Sequence, residues 1–295
     1  MTVRVEIRET PGDQEAVLAL AEAAAEADGV RPLNEQTLLA LRYGGPSGAR
    51  FLLLYDGDEL AGFAYLEPSD PPSGELVVHP GFRGRGLGGR LLAAVLDTGG
   101  KGVRLWAHGD LPAAARLAAG FGMTRARALW RMRRPLTTPL PAPELPEGVR
   151  LRTFEPGRDE EAWLALNARA FADHPEQGSW TLEDLKRRQQ EPWFDPAGFF
   201  LAERAGTLVG FHWTKVHAQA EGADGPIGQV YVVGVDPEER GTGLGRALTL
   251  AGLAHLRSRG LDQVMLYVDE ANTAAVRLYE SLGFTRWTVD VMYRR

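Results

Sequence analysis

Two short stretches carry the residue types and spacing needed to bind an anion. Arg83-Gly84-Arg85-Gly86-Leu87-Gly88 and Arg240-Gly241-Thr242-Gly243-Leu244-Gly245 both read Arg-x-x-Gly-x-Gly. Each follows a β-branched run and opens an apolar-periodic helix. Glycines let successive N–H groups turn toward one point, and the helix N-terminus adds its positive dipole end, so the expected chemistry is a pyrophosphate cradle. One isolated copy would equally well be a plain turn; two copies in matching context favour the cradle. Neither loop has the Lys-Ser/Thr of a P-loop. Gly84-x-Gly86-x-x-Gly89 matches a dinucleotide fingerprint, but Arg246 replaces the third glycine in the second copy and both loops lie mid-domain, so that reading is rejected. The absence of cysteine rules out a thiol nucleophile, a thiolate metal site and a disulfide scaffold. His174 and His212 lack metal-ligand spacing and read as polar lining or packing; no metal is expected.

The elements around these loops occur twice. Val78–Gly88 parallels Val235–Gly245, and Gly120-Phe121 parallels Gly283-Phe284, which identifies a duplicated domain. Pro135, Pro139, Pro141, Pro143 and Pro146 make the segment between the halves a semi-rigid linker. The expected division is residues 1–134, a linker at 135–148, and 149–295. In the second half the patterning predicts strands at Val149–Phe154, Gly198–Glu203, Leu208–His217, Gln229–Val235, Gln263–Val268 and Trp287–Tyr293. It predicts helices at Arg158–Ala172, Gly245–Arg259 (stopped by Gly260) and Asn272–Leu282. The fold class is α/β (α+β): two tandem domains, each a mixed, mostly antiparallel sheet flanked by helices.

The 295-residue length fits two domains, and 44% hydrophobic residues supply two cores. A net charge of −6 argues against nucleic acid or an anionic membrane as partner. The Arg131-x-Arg133-Arg134 cluster reads as a solvated guard on a strand edge. The N-terminus lacks a secretory apolar region and no apolar run approaches a membrane span, so a soluble, cytoplasmic protein is expected. The sequence assigns no oligomeric state and is compatible with a monomer.

The loop after a β-branched strand resembles the acyl-CoA loop of the GCN5-related N-acetyltransferases, and Asn272-x-x-Ala275-x-x-Leu278-Tyr279-x-x-Leu282-Gly283-Phe284 resembles their downstream helix. Ala170–Gly178, Gly210–Lys215 and Val230–Pro237 are similar to stretches of the mycothiol synthases, tandem members of that superfamily from actinobacteria. The resemblance implies acetyl transfer from acetyl-CoA to a small-molecule primary amine, the cysteinyl amine of cysteinyl-glucosaminyl-inositol. It implies acetyl-CoA contacts at Val233, Gly234 and Val235, at Arg240, Gly241, Thr242, Gly243, Leu244, Gly245 and Arg246, and at Asn272 and Arg277. A second set in the first half comprises Val77, Val78, His79, Arg85, Gly86, Leu87, Gly88, Gly89 and Arg90. Acceptor contacts are implied at Glu35, which would reach over from the first half, and at Glu176, Lys215, Gln229 and Tyr267; without the resemblance each reads as an ordinary surface, edge or core residue.

Tyr279 matches the general acid of the family, and its first-half counterpart is Arg116, which cannot donate a proton at neutral pH. Chemistry is therefore expected in the second half alone. Gln229 stands where the mycothiol synthases typically carry a basic glutamate, and a carboxamide accepts no proton. An α-amine with a pKa of about 7.7–8 is partly neutral at pH 7, so slower or water-assisted transfer is expected rather than none. Two other readings remain open: an acetyltransferase for another amine or a peptide N-terminus, and a non-catalytic acetyl-CoA sensor.

Overall fold

The structure, a computed structural model, describes residues 2–218 and 225–295. It forms two compact units, each closed by pieces from distant parts of the chain. The first contains Met1–Trp130, Asp269–Asn272 and Thr288–Arg295; the second contains Arg131–Val268 and Thr273–Trp287.

The first unit runs β1 (Val3–Arg8), α1 (Gln14–Asp28), α2 (Glu35–Tyr43), β2 (Arg50–Asp56), β3 (Glu59–Glu67), β4 (Ser73–Val78), α3 (Leu87–Gly99), β5 (Arg104–Ala107), α4 (Pro112–Gly120) and the start of β6 (Thr124–Pro135). Strands β1 to β4 pair antiparallel in sequence order, and β5 joins β4 in parallel. Val291–Arg294 from the chain's end then pair antiparallel with β5. Alternation along β2 sends Phe51 and Leu53 under α1 and α2, and Leu52 and Leu54 under α3 and α4. Asp13 and Asn34 start α1 and α2 by accepting the Ala16 and Thr37 N–H groups at 3.1 and 2.8 Å.

The second unit takes the end of β6 and runs β7 (Val149–Thr153), α5 (Glu160–Ala170), α6 (Pro175–Gly178), α7 (Leu182–Gln189), β8 (Phe199–Arg204), β9 (Thr207–His217), β10 (Ile227–Val235), α8 (Leu244–Ser258), β11 (Gln263–Asp269), α9 (Thr273–Ser281) and the start of β12 (Thr285–Arg294). Strands β7 to β10 are antiparallel and β11 is parallel to β10. One face packs Phe154, Trp163, Leu185, Phe199, Phe211 and Trp213 into an aromatic core. The other face meets Leu244 and Leu248 of α8. The mixed, mostly antiparallel sheet with flanking helices is as predicted, and the nine predicted elements of this half are all present. Helices α6 and α7 escaped the sequence reading because they are short. The Thr181/Asp184 capping box that starts α7 is visible only in hindsight.

Candidate functional site

The two glycine loops have the same local build. Gly84, Gly86, Gly241 and Gly243 lie at φ +77°, +76°, +83° and +89°, where an L side chain costs about 1–2 kcal/mol. Gly86 and Gly243 are the N-caps of α3 and α8, so the first-turn N–H groups of each helix have no acceptor within the helix. Before each loop a side chain accepts the N–H two residues on: His79 from Gly81 and Asp236 from Glu238, both at 3.1 Å. Burial opposes ionisation of Asp236, but the Glu238 N–H and Arg169, at 2.8 Å, hold its carboxyl below the usual range. Arg246 donates to Ser281 Oγ at 2.9 Å and Arg240 reaches the Ala170 carbonyl at 3.4 Å. In the first unit Arg83 is bound through two hydrogen bonds to Asp28, at 2.6 and 2.8 Å, and Arg85 donates to the Gly81 carbonyl.

Upstream of each loop two parallel strands part. Strands β10 and β11 pair only at Gly228/Val264, Gln229/Met265 and Val230/Leu266; β4 and β5 pair only at Ser73/Arg104, Gly74/Leu105 and Glu75/Trp106. Past these pairs the β11-facing edge of β10, through Val233, Gly234 and Val235, presents backbone donors and acceptors with no strand opposite among the described residues. Such an edge suits an extended amide-bearing chain. Among the described residues the two fork strands differ in one bulge: the β9–β10 register shifts between Val230 and Val232, setting Tyr231 out of the ladder, whereas β3–β4 is unbroken. Gly234 packs so closely that a Cβ would lie 2.5 Å from the Phe211 ring. Of the first-unit set, Val77 is buried at 4% exposure and Leu87–Arg90 open α3.

One face of the second-unit fork gathers polar groups. Lys215 and Gln229 lie opposite each other and so share a face, with His217 two residues along β9. Lys215 and Gln229 are buried at 8% and 6% exposure. The Lys215 ammonium sits 4.0 Å from the centroid of Trp193 and 5.3 Å from that of Tyr231, an aromatic seat rather than a strand-edge cap. His217 Nε2–H donates to Gln229 Oε1 at 2.6 Å. Tyr267, one residue beyond the last β11 pair, is 40% exposed and carries Arg131 over its ring at 5.4 Å; it does not face the core. Arg188 donates to the Tyr231 hydroxyl at 2.9 Å. Tyr279 on α9 is 9% exposed, with its ring edge-on to Phe284, and burial raises its phenol to about 12. It is therefore a neutral O–H at neutral pH. Arg277 lies exposed on the same helix, while Asn272 groups with the first unit.

Glu35 heads α2 in the first unit. The side chain of Glu176 lies outside the described residues. Counting from the last fork pair, Gly74 occupies the place in β4 that Gln229 holds in β10. The Met123 N–H closes α4 on the Ala118 carbonyl as the Phe284 N–H closes α9 on the Tyr279 carbonyl, so buried Ala118, and not the exposed Arg116 expected from the sequence count, stands where Tyr279 does. The first unit thus has neither polar group. It has instead a buried network that the sequence did not reveal. Glu75 accepts from His108 at 2.8 Å, from the Asn34 N–H at 2.9 Å and from the Thr37 hydroxyl at 2.9 Å. The other His108 nitrogen meets Asp290 at 3.0 Å, and Asp290 also accepts the Gly109 N–H. Burial alone would lower the His108 pKa, but the two carboxylates outweigh it and raise it to about 10.

Two other expectations resolve by burial. The Arg131/Arg133/Arg134 cluster is not a solvated guard: Arg131 and Arg134 are 6% and 5% exposed. Arg131 and Arg133 stack on Trp287 at 5.0 and 3.3 Å, and Arg134 donates to Thr138 and to the Leu282 carbonyl. The guanidinium planes pack where a sequence reading sees only charge. His212 is a packing residue, fully buried against Gly252, its Nδ1–H donating to the Leu248 carbonyl at 2.7 Å; burial lowers its pKa to about 4. Among the described residues no cluster of three or more His, Asp or Glu side chains is arranged to hold a metal ion, and no described helix is long and apolar enough to cross a membrane.

Known proteins resemble this chain in sequence and fold. The Acetyltransferase (GNAT) family pattern matches residues 161–284, and a second Acetyltransferase (GNAT) domain pattern matches residues 47–122. The mycothiol acetyltransferase of Streptosporangium roseum is 60% identical over 100% of both chains. That of Thermomonospora curvata is 62% identical over 94% of this chain and 92% of its own. A crystal structure of a GCN5-related N-acetyltransferase from Sphaerobacter thermophilus superposes with TM-score 0.68 at 30% identity, covering 99% of this chain and 95% of that one. A tandem GNAT protein from the clavulanic acid biosynthesis pathway shares the fold, with TM-score 0.75 at 21% identity over 100% and 98% of the two chains.

Proposed function

Since this chain belongs to the mycothiol acetyltransferases, a family of tandem GNAT acetyl-CoA-dependent N-acetyltransferases, we propose that it acetylates the cysteinyl amine of cysteinyl-glucosaminyl-inositol, the last step of mycothiol formation. The observation that carries the acceptor is the 60% identity that runs the whole length of both chains.

In this reading the acetyl-CoA pyrophosphate rests on Arg240–Arg246 and the N-terminus of α8, where first-turn N–H groups without an acceptor in the helix and the helix dipole meet negative charge. The pantetheine amides pair with the open edge of β10 at Val233–Val235, which brings the thioester to the fork beside Tyr231. The acceptor approaches from the face that bears Lys215, Gln229 and Tyr267. The acceptor nitrogen attacks the thioester carbon, the C–S bond breaks, and the neutral Tyr279 phenol gives its proton to the departing sulfur. Buried Lys215 and the aromatic rings around it suit a hydroxyl-rich, uncharged glycoside better than a polycationic amine. The first unit keeps the glycine loop but has Gly74 and Ala118 in place of the polar pair. Its loop binds acetyl-CoA without turning it over.

The test is acetyl-CoA turnover with cysteinyl-glucosaminyl-inositol, alongside a panel of polyamines, aminoglycosides and peptide N-termini. Preference for the first acceptor by a hundredfold or more in kcat/KM is expected. Preference for another amine would overturn the acceptor, and tight acetyl-CoA binding with no turnover of any amine would support the sensor.

A further inference from the structure

We propose that Arg188, in the last turn of α7, is a positioning residue that holds the bulge tyrosine Tyr231 against Lys215 and so shapes the acceptor wall of the second-unit fork. This rests on the acetyl-transfer reading above and adds a residue which that reading does not use. Leu185 and Arg188 lie three residues apart on α7, share its inward face and are both buried, Arg188 at 4% exposure. The neighbouring Arg187 pairs instead with the exposed Glu183 at 2.6 Å. Taking a guanidinium out of water is costly, and packing beside Leu185 would be served as well by an apolar side chain. The charge at position 188 is therefore explained by what it touches.

Three contacts hold the guanidinium. Its Nη1–H donates to the Asp184 carbonyl at 3.0 Å, which ties it to its own helix. Its Cζ lies 3.8 Å from the centroid of the Trp180 ring. Its Nε–H reaches the Tyr231 hydroxyl at 2.9 Å, and because a guanidinium only donates, the phenol oxygen accepts. A planar fork anchored at three points leaves the tip of Tyr231 one place to sit.

Tyr231 is the bulge residue, one step past Val230, which makes the last β10–β11 pair. The ladder therefore does not aim its side chain as it aims Gln229, which lies opposite Lys215. Trp193 packs edge-on to the Tyr231 ring at 5.1 Å, and the Lys215 ammonium lies 5.3 Å from the centroid of Tyr231 and 4.0 Å from that of Trp193. Released from Arg188, the Tyr231 ring would shift and leave Lys215 seated on one ring instead of two. Arg188 thus acts on the acceptor contacts through Tyr231. It does not act on the glycine loop or the open edge of β10, which the reading above assigns to acetyl-CoA.

The experiment is a double-mutant cycle of Arg188→Lys and Tyr231→Phe, with steady-state kinetics in cysteinyl-glucosaminyl-inositol and in acetyl-CoA and with thermal melting of every variant. Lysine keeps a cation beside Trp180 but has no Nε–H, and phenylalanine keeps the ring but not the hydroxyl. Losing a hydrogen bond to a charged group corresponds to about tenfold or more. Each single variant should therefore lower kcat/KM for the acceptor about tenfold, chiefly through KM, with the KM for acetyl-CoA within twofold of wild type. The double variant should be no worse than the poorer single variant, because both remove the same contact. An unchanged kcat/KM for the acceptor in either single variant overturns the proposal. So do losses that multiply in the double variant, or a lowered Tm with equal loss toward both substrates, the signature of a merely structural role. If the wild type prefers another amine, the acceptor named above falls and the same cycle run with that amine tests Arg188. Wild-type protein that binds acetyl-CoA but acetylates no amine overturns the acetyl-transfer reading and the proposal with it.

Discussion

Tyr279 and the two buried histidines show how environment assigns opposite duties to titratable groups. Burial raises the Tyr279 phenol to about 12, which keeps it a donor at neutral pH. Replacing Tyr279 with Phe should lower kcat by about 10²–10³-fold and leave the KM for acetyl-CoA within twofold, as steady-state kinetics would show. His212 and His108 differ in sign. The His212 pKa is about 4 in the fold against about 6.5 in the unfolded chain, so between those values only the unfolded state binds the proton. Its stabilisation is complete above pH 6.5 and declines as pH falls toward 4, by up to about 3 kcal/mol. Urea unfolding at pH 7.5 and 4.5 should show this slope, and His212→Gln should flatten it; an unchanged slope would assign it to other groups. His108, raised to about 10, contributes in full below pH 6.5 and loses that contribution only as pH rises through 10. Replacing it with Gln would strand two buried carboxylates and should cost about 3 kcal/mol at pH 7 by the same urea assay.

At the scale of elements, the glycine loop, the parted strands and the following helix make one device, present twice and complete once. The loops are nearly interchangeable: each N-cap glycine sits at φ near +80°, and each preceding turn is fastened by a side chain two residues back. The forks differ, because β10 has the bulge at Tyr231 and β4 has none. Gly243→Ala should therefore cost about 1–2 kcal/mol and raise the KM for acetyl-CoA at least tenfold. Gly86→Ala should carry a similar stability cost and leave kcat unchanged, which calorimetry and kinetics on the pair would check. The loop motif was legible because backbone conformation confines those positions to glycine. The bulge was not, since Val-Tyr-Val-Val reads as unbroken strand and only the register against β9 exposes the extra residue.

For the whole molecule, chain order and compact units do not coincide. Thr288–Arg295, at the end of the second repeat, belong to the first unit, where Val291–Arg294 pair with β5 and Asp290 meets His108. Through Glu75 the same network holds Asn34 and Thr37, and so fixes the first turn of α2 that bears Glu35. A chain ended at Trp287 loses the strand and the counter-ion together. Hydrogen exchange should then show lost protection in β5 and at the start of α2, far upstream of the truncation. Retained protection there would show that the final strand is dispensable to the first unit.

The sequence by itself determined the duplication, the glycine loops and the element order of the second half, because these follow from local conformation and periodicity; the family was legible through the resemblance of its motifs. Tertiary structure alone decided which side chains share a face and which are buried. It set Lys215 among aromatic rings, stacked Arg131 and Arg133 on Trp287, and joined His217 to Gln229 twelve residues away. It also brought Glu75, His108 and Asp290 together from positions up to 215 residues apart. Such meetings depend on strand register and on a terminal strand added from the other end of the chain, and neither leaves a periodic trace in the sequence.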